Sequence, residues 1–177
     1  MPHNIEIPDY VIERIMAKRG KLEVFDRFEA AKTAFLVIDM QNFYVAEVDT
    51  AISIVPNINR IATACREKGV PVIWVIMTVA DEVGAPSQWR LYHEYFFTDA
   101  KGKNHLTQLS EGHKGHELYP DLDVKDGEQI VHKKRFSPFI IGSSDLHDRL
   151  QEKGIENLIV AGTATNMCSE SAARDAM

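Results

Sequence analysis

Residues 157–176 decide the fold; they read Asn-Leu-Ile-Val-Ala-Gly-Thr-Ala-Thr-Asn-Met-Cys-Ser-Glu-Ser-Ala-Ala-Arg-Asp-Ala. The apolar start of this segment, 157–161, predicts a buried strand, and the residues from Ser171 onward favour a helix. Between them, a turn that contains a glycine and two threonines brings Cys168 to the start of that helix. A helix N-terminus presents unpaired N–H groups and partial positive charge, which stabilise a thiolate and lower the pKa of the thiol. The segment therefore predicts either a reactive cysteine or a small core residue, since free cysteines are commonly buried.

Other apolar runs outside this segment also lack polar alternation, namely 34–39, 70–77 and 129–132. Such runs are typical of strands that are covered on both faces, as in a parallel sheet. A helix is expected over 53–68, with Pro56 in its first turn, and another over 144–153. Strand, helix and strand in succession form a βαβ unit with a right-handed crossover. The predicted fold class is α/β: a three-layer αβα sandwich around a mostly parallel, doubly wound sheet of the Rossmann type.

The length of 177 residues predicts one domain, 1–177, with two special segments. Residues 1–32 form an N-terminal arm whose helix, 8–19, is expected to pack on the domain or on a neighbouring subunit. Residues 79–127 are polar and rich in glycine, histidine and aromatic side chains, with short helices expected at 88–96 and 106–110. Long irregular insertions usually carry function, and the aromatic content argues against disorder. We therefore interpret 79–127 as a lid.

Composition excludes several classes of function. The net charge of -6 argues against nucleic-acid binding, and no apolar run is long enough for a membrane helix. The N-terminal residues, 1–8, lack the apolar core of a signal peptide. Two cysteines, Cys65 and Cys168, do not make a disulfide framework, which favours a reducing, cytoplasmic setting.

Three residues of chemical interest follow predicted strands: Asp39, Lys133 and Cys168. In a doubly wound sheet, ligands bind beyond the carboxyl ends of the strands, so these side chains are expected at one edge. A carboxylate that accepts the thiol proton, an ammonium group that stabilises the thiolate, and backbone N–H groups suit nucleophilic attack on a carbonyl. Other interpretations stay open at this point: Asp39 as a helix cap or ribose ligand, and Lys133 as part of a solvated basic run.

Three motifs, in this order, carry a family resemblance: Leu-Val-Ile-Asp-Met-Gln-Asn at 36–42, Lys-Lys-Arg-Phe-Ser-Pro-Phe at 133–139, and Gly-Thr-Ala-Thr-Asn-Met-Cys at 162–168. With them the chain resembles the isochorismatase-like cysteine hydrolases, a group that includes nicotinamidase, N-carbamoylsarcosine amidase and ureidoacrylate amidohydrolase. The resemblance covers roughly residues 33 to 177. It implies an isochorismatase-like version of the fold described above.

The resemblance also implies roles for single residues. Asp39 would be the general base, Lys133 the lysine of the triad and Cys168 the nucleophile. A cis peptide bond between Thr163 and Ala164 would direct the Ala164 N–H, with the Cys168 N–H, at the oxyanion. The implied cycle is attack on a C–N carbonyl, loss of ammonia or an amine, and hydrolysis of a thioester.

The substrate pocket is expected around residues that neighbour the triad in sequence. Asn42 and Tyr44 follow the base and Phe136 follows the lysine, so we expect all three to line the site. Trp89 and Tyr92 either close the pocket from the lid, which would exclude water, or only pack within the lid.

No metal and no other cofactor is expected. Compared with nicotinamidases, the segment 78–83 lacks their Asp-x-His metal spacing. His105, His113 and His116 are interpreted as ordinary loop histidines of a polar segment.

The predicted function is hydrolysis of a small-molecule amide, carbamoyl or ureido C–N bond. Two alternatives stay open: isochorismatase-like cleavage of a vinyl ether by Asp39 without the cysteine, and a catalytically silent binding protein on the same scaffold. Assembly into a homodimer or homotetramer is expected by analogy. Family members normally continue past the cysteine helix with a further strand and helix, so we expect this chain to be truncated at Met177.

Overall fold

The computed structural model describes residues 6–177, so the first residues of the predicted N-terminal arm, 1–5, lie outside the described part. A parallel sheet with the strand order β3-β2-β1-β4 forms the centre of the domain. Its strands are β1 (Thr33–Ile38), β2 (Val72–Met77), β3 (Gln129–Lys133) and β4 (Asn157–Gly162). Each predicted strand is thereby confirmed to within two residues at either end.

Helices connect the strands and also fill the lid. They are α1 (Asp9–Arg19), α2 (Asn42–Val45), α3 (Asp49–Glu67), α4 (Arg90–Tyr95), α5 (Asp99–Gln108), α6 (Leu146–Glu152) and α7 (Glu170–Asp175). Short 3₁₀ turns lie at Ala30–Lys32 and Lys114–His116, and a π-helical turn at Thr165–Ser169 precedes α7. None of the helices in the described part is long and apolar enough to cross a membrane.

The core lies on both faces of the sheet because every residue of β1 is buried. On one face, Phe35 and Val37 pack with the apolar side of α3. On the other face, Leu36 packs with buried residues of α6 and α7, including Leu146 and Ala172. Alternate side chains of one strand thus supply two separate cores, which is why the run lacks polar alternation. The three-layer α/β sandwich is confirmed.

The start of α3 differs from the prediction. The helix begins at Asp49 rather than at residue 53, so Pro56 lies in its interior and not in its first turn. Proline in a helix interior removes one backbone hydrogen bond. Pro56 faces solvent, while its neighbours Val55 and Ile58 anchor the opposite side of α3 in the core. Tertiary packing therefore carries the helix through the proline.

The N-terminal arm and the lid differ from each other in how they are attached to the domain. Helix α1 buries none of its residues, so it does not pack into the core of its own domain, and contact with a neighbouring subunit stays a prediction. The lid instead has a small core of its own, in which Met77, Val79 and Leu109 are buried. This cluster attaches α4 and α5 to the carboxyl end of β2.

Candidate active site

The structure brings Asp39, Lys133 and Cys168 together at the carboxyl edge of the sheet. Lys133 Nζ lies 2.8 Å from Asp39 Oδ2 and 3.5 Å from Cys168 Sγ. Asp39 and Lys133 are fully buried, and Cys168 is 6% exposed. An acid, an ammonium group and a thiol from separate parts of the chain therefore form one buried cluster.

The backbone of Asp39 is held in an uncommon conformation. Its φ of 50° lies in the left-handed region, which side chains other than glycine rarely adopt. The Asp39 N–H donates to the Val75 carbonyl at 2.8 Å, and the Thr163 hydroxyl donates to the Asp39 carbonyl at 2.7 Å. These bonds from β2 and from the residue after β4 fix the turn that directs the carboxylate toward Lys133.

The end of β4 closes against the end of β1 at a glycine. A Cβ on Gly162 would lie 2.0 Å from the Ile38 carbonyl oxygen, so only glycine permits this approach. The peptide bond between Thr163 and Ala164 that follows is cis. Among residues 6–177, the Ala164 N–H meets no hydrogen-bond acceptor. A free backbone donor therefore lies on the segment that leads to Cys168.

Gln41 supports the site, although the sequence identified it only as part of a motif. Its side chain is fully buried and bridges β1 to both β2 and the lid. The amide nitrogen donates to the carbonyl oxygens of Met77 at 3.0 Å and His116 at 2.8 Å, while its oxygen accepts the Met77 N–H at 2.8 Å. No sequence signal could have identified these bonds, because each partner is a backbone group.

The electrostatics of Cys168 contradict the expectation of a lowered thiol pKa. Burial, followed by the negative charge of Asp39, raises the pKa of the Cys168 thiol to about 12, against the opposing charge of Lys133. Burial also raises the pKa of Asp39 above its ordinary value, although Lys133 opposes that shift. Cys168 lies in the π-helical turn, and the helix that follows is short, so the helix dipole does not prevail. The cluster therefore holds a neutral thiol beside a carboxyl group whose basicity is increased.

The aromatic side chains expected around the pocket mostly converge. The Trp89 and Tyr92 rings stack with centroids 4.3 Å apart, and the Phe136 ring meets both edge-on, at 4.9 Å and 5.2 Å. Burial, and after it the negative charge of Asp39, raises the pKa of the Tyr44 phenol well above its ordinary value. Three of the four rings thus form one aromatic wall, defined here as Trp89, Tyr92 and Phe136.

Asn42 is not brought to the cluster. Its side-chain amide donates to the Lys114 carbonyl oxygen at 2.8 Å and lines a different cavity, between α2 and the lid. The structure therefore gives it a contact with the lid, rather than the position in the pocket that the sequence suggested.

A cavity of about 290 Å³ lies beside the segment that leads to Cys168. Its lining consists of Tyr44, Val48, Thr50, Ala51, Ile54, Gly162, Thr163, Ala164 and Thr165. The free Ala164 N–H thus belongs to a residue of the wall of a mostly apolar cavity, large enough for a small molecule.

The interpretation of the lid histidines as ordinary loop residues is wrong for His105 and His116. Both are buried, at 8% and 6% exposure, since α5 and the 3₁₀ turn fold them toward the sheet. His113 is half-buried, and its Nδ1 accepts the Gly115 N–H at 2.9 Å. Within residues 6–177, no group of three or more His, Cys, Asp or Glu side chains is arranged to hold a metal ion.

Comparison with known proteins gives the family. Residues 33–177 match the model of the isochorismatase domain. Ureidoacrylate amidohydrolase RutB of Pseudomonas savastanoi pv. phaseolicola is 29% identical over a gapped alignment of 188 residues. The alignment covers 97% of this chain and 74% of that protein. A probable inactive nicotinamidase of Arabidopsis thaliana is 35% identical over 152 residues, with 82% and 72% of the two chains covered.

A solved structure supports the same assignment. The cysteine hydrolase from Pseudomonas syringae pv. phaseolicola is 25% identical and superposes with a TM-score of 0.73, over 88% of this chain and 70% of that one. Both the sequence match and the fold therefore agree: the chain belongs to the isochorismatase-like hydrolase family.

Proposed function

We propose that this protein hydrolyses a small-molecule amide, carbamoyl or ureido C–N bond through a thioester on Cys168. The observation that carries the proposal is the position of Lys133 Nζ, 2.8 Å from Asp39 and 3.5 Å from Cys168 Sγ in a buried cluster. Such a cluster joins a nucleophile, a base and a cation that stabilises both anions.

The first half of the cycle forms the acyl-enzyme. Cys168 is a neutral thiol at physiological pH, so its proton moves to the Asp39 carboxylate as Sγ attacks the substrate carbonyl. The raised pKa of Asp39 makes it a stronger base for this transfer. The N–H groups of Ala164 and Cys168 hold the oxyanion. Asp39 then returns the proton to the nitrogen, the C–N bond breaks, and ammonia or an amine leaves.

The second half of the cycle restores the enzyme. Asp39, again a carboxylate, takes a proton from a water molecule that attacks the thioester carbonyl. The C–S bond then breaks, the thiolate of Cys168 recovers the proton from Asp39, and a carboxylic or carbamic acid leaves. The ammonium group of Lys133 lies beside both groups and balances whichever of the two anions is present.

The surroundings favour a small substrate. Phe136 of the aromatic wall packs in the same apolar group as Cys168, and Tyr44 and Ala164 line the cavity of about 290 Å³. Excluding water from such a site strengthens the electrostatic interactions inside it. The relative named ureidoacrylate amidohydrolase favours an amide or ureido bond for this chain too.

A catalytically silent protein is the second candidate. One observation favours it: a relative that is 35% identical is named a probable inactive nicotinamidase. In this alternative the same cluster would bind a small molecule without cleaving it.

Ammonia release from a panel of small amides and ureido acids tests the proposal. Cys168→Ala should abolish release, and Cys65→Ala, which replaces a buried cysteine of α3, should leave it unchanged. Release that survives Cys168→Ala but not Asp39→Ala would instead favour chemistry that uses the aspartate alone. Binding of panel members without release by the wild-type protein would favour the silent alternative.

A further inference from the structure

Two buried histidines of the lid form a chain of polar contacts that ends at Tyr44. His93 Nε2 lies 2.8 Å from His105 Nδ1, and His105 Nε2 lies 3.5 Å from the Tyr44 hydroxyl. Both imidazoles are buried, at 7% and 8% exposure. The catalytic cycle above uses neither of them.

The outer end of the chain favours one tautomer of His93. Its Nδ1 lies 3.0 Å from the Trp89 carbonyl oxygen, which can only accept a hydrogen bond. It also lies 2.6 Å from Ser87 Oγ, which accepts the Trp89 N–H at 2.9 Å. With the proton of neutral His93 on Nδ1, where both oxygens can accept it, Nε2 faces His105 as an acceptor.

His105 continues the chain in the same direction. Burial lowers the pKa of both imidazoles and, with further contributions from His93 and Lys133, brings the pKa of His105 to about 3. Two neutral rings in contact need one donor and one acceptor, so His105 donates from Nδ1 to His93. Its bare Nε2 is then left to face Tyr44.

In this arrangement Tyr44 donates to that nitrogen. Burial, and after it the negative charge of Asp39, raises the pKa of the phenol well above its ordinary value, so the hydroxyl keeps its proton. The separation of 3.5 Å is long, but hydrogen bonds in active sites often shorten when the substrate binds. With its proton directed at His105, the Tyr44 oxygen can offer only lone pairs to the cavity that its ring lines.

We propose that His93 and His105 are positioning residues that hold the Tyr44 hydroxyl as an acceptor for an N–H group of the substrate. This inference rests on the proposed function and refines its substrate class. It assigns to the site amides and ureido compounds that carry an N–H on the scissile nitrogen, in preference to esters or fully alkylated amides.

The tautomers can be measured without any substrate, by nitrogen-15 NMR of the histidine rings in the wild-type protein at neutral pH. His93 and His105 should both show the Nδ1–H tautomer. His113 is the internal control, because its Nδ1 accepts the Gly115 N–H and its proton must lie on Nε2. His93→Phe and His105→Phe assign the signals. An Nε2–H tautomer on either His93 or His105 would overturn the inference.

Kinetics of Tyr44→Phe and His105→Phe test the consequence for specificity. Each variant should lower kcat/KM about fivefold to tenfold for an amide with an N–H, which corresponds to one hydrogen bond, and should leave the ester of the same acyl group unchanged. The double variant should lose no more of kcat/KM for the amide than either single variant, since the two substitutions remove the same contact. Tyr95→Phe, on an exposed tyrosine of the lid, is the matched control.

The outcomes separate this inference from the proposed function. Equal losses on amide and ester, or losses that add in the double variant, would assign His105 a packing role and overturn the inference. A wild-type protein that hydrolyses neither substrate contradicts the proposed function instead. The tautomers decide the inference on the wild-type chain, and His105→Gln assigns the His105 signals where His105→Phe fails to fold.

Discussion

At the scale of single residues, the buried pair of Asp39 and Lys133 gives the sharpest prediction. Lys133→Met leaves the carboxylate fully buried without its cation, which should lower the free energy of unfolding by about 3–5 kcal/mol. Lys134→Met, on the neighbouring half-buried lysine, is the control and should lower the free energy of unfolding much less. Urea denaturation of both variants measures the difference.

The loss of stability in Lys133→Met should depend on pH in a defined direction. Without Lys133, burial raises the folded-state pKa of Asp39 further above its unfolded value, so the folded state binds the extra proton. The loss in the free energy of unfolding should therefore be small below the unfolded-state pKa of Asp39. It should grow as the pH rises toward the folded-state pKa of Asp39. Addition of Asp39→Asn should remove this dependence. A penalty that shrinks with rising pH would contradict the described ion pair.

The thiol of Cys168 gives a second prediction at this scale. With a pKa of about 12, it should be alkylated by iodoacetamide at pH 8 at least about a hundredfold more slowly than free cysteine, because only the thiolate reacts. The rate should still be rising above pH 9. Peptide mass mapping separates Cys168 from Cys65. An alkylation rate that levels off near neutral pH would instead show a stabilised thiolate, as a helix N-terminus alone would produce.

At the scale of secondary-structure elements, Gln41 ties the ends of β1 and β2 to the lid. Gln41→Ala leaves the Met77 N–H and two carbonyl groups buried without their partner, so we expect a loss of about 2–4 kcal/mol in the free energy of unfolding. Because Asp39 lies two residues away, activity should fall as well. Gln108→Ala, at the end of α5, is the control. Unchanged stability would contradict the described bridge.

The packing of α4 against α5 depends on Gly102. A Cβ there would lie 2.4 Å from the His93 carbonyl oxygen, so the glycine lets α5 approach α4 and brings His105 to His93. In an open helix, Gly→Ala raises stability by about 1 kcal/mol. Here Gly102→Ala should lower the melting temperature instead, while Lys101→Ala, at an exposed position of the same helix, should not. A higher melting temperature for Gly102→Ala would contradict the close approach.

At the scale of the whole molecule, the sequence predicted the sheet and the cluster at its edge because both follow from local patterns. Apolar runs without alternation predict the strands, and the ends of parallel strands meet at one edge. Asp39, Lys133 and Cys168 each follow or end such a run, so their meeting point could be predicted.

Other features of the molecule could not be predicted from the sequence. The contact between His93 and His105 depends on how two short helices pack, which no periodicity indicates. The true start of α3 was missed because Pro56 resembles an N-terminal signal, and packing of the helix against the sheet overrides it. The thiol pKa was mispredicted because a helix end is visible in sequence, whereas burial and the distance to Asp39 are not.

Assembly of the chain stays a prediction. Phe25 and Phe28 are exposed and line a shallow cavity with residues of β4 and α7, and α1 buries no side chain in its own domain. These features are compatible with the homodimer or homotetramer expected from the resemblance.

The central claim is that Cys168 carries the acyl group during the reaction. Intact mass spectrometry of enzyme that is quenched with acid during turnover of the best amide or ureido substrate tests it most directly. We expect a mass increase equal to the acyl group minus one hydrogen, mapped to the peptide of Cys168. It should be present in Cys65→Ala and absent, together with turnover, in Cys168→Ala. Turnover that persists in Cys168→Ala, or an adduct on another residue, would contradict it.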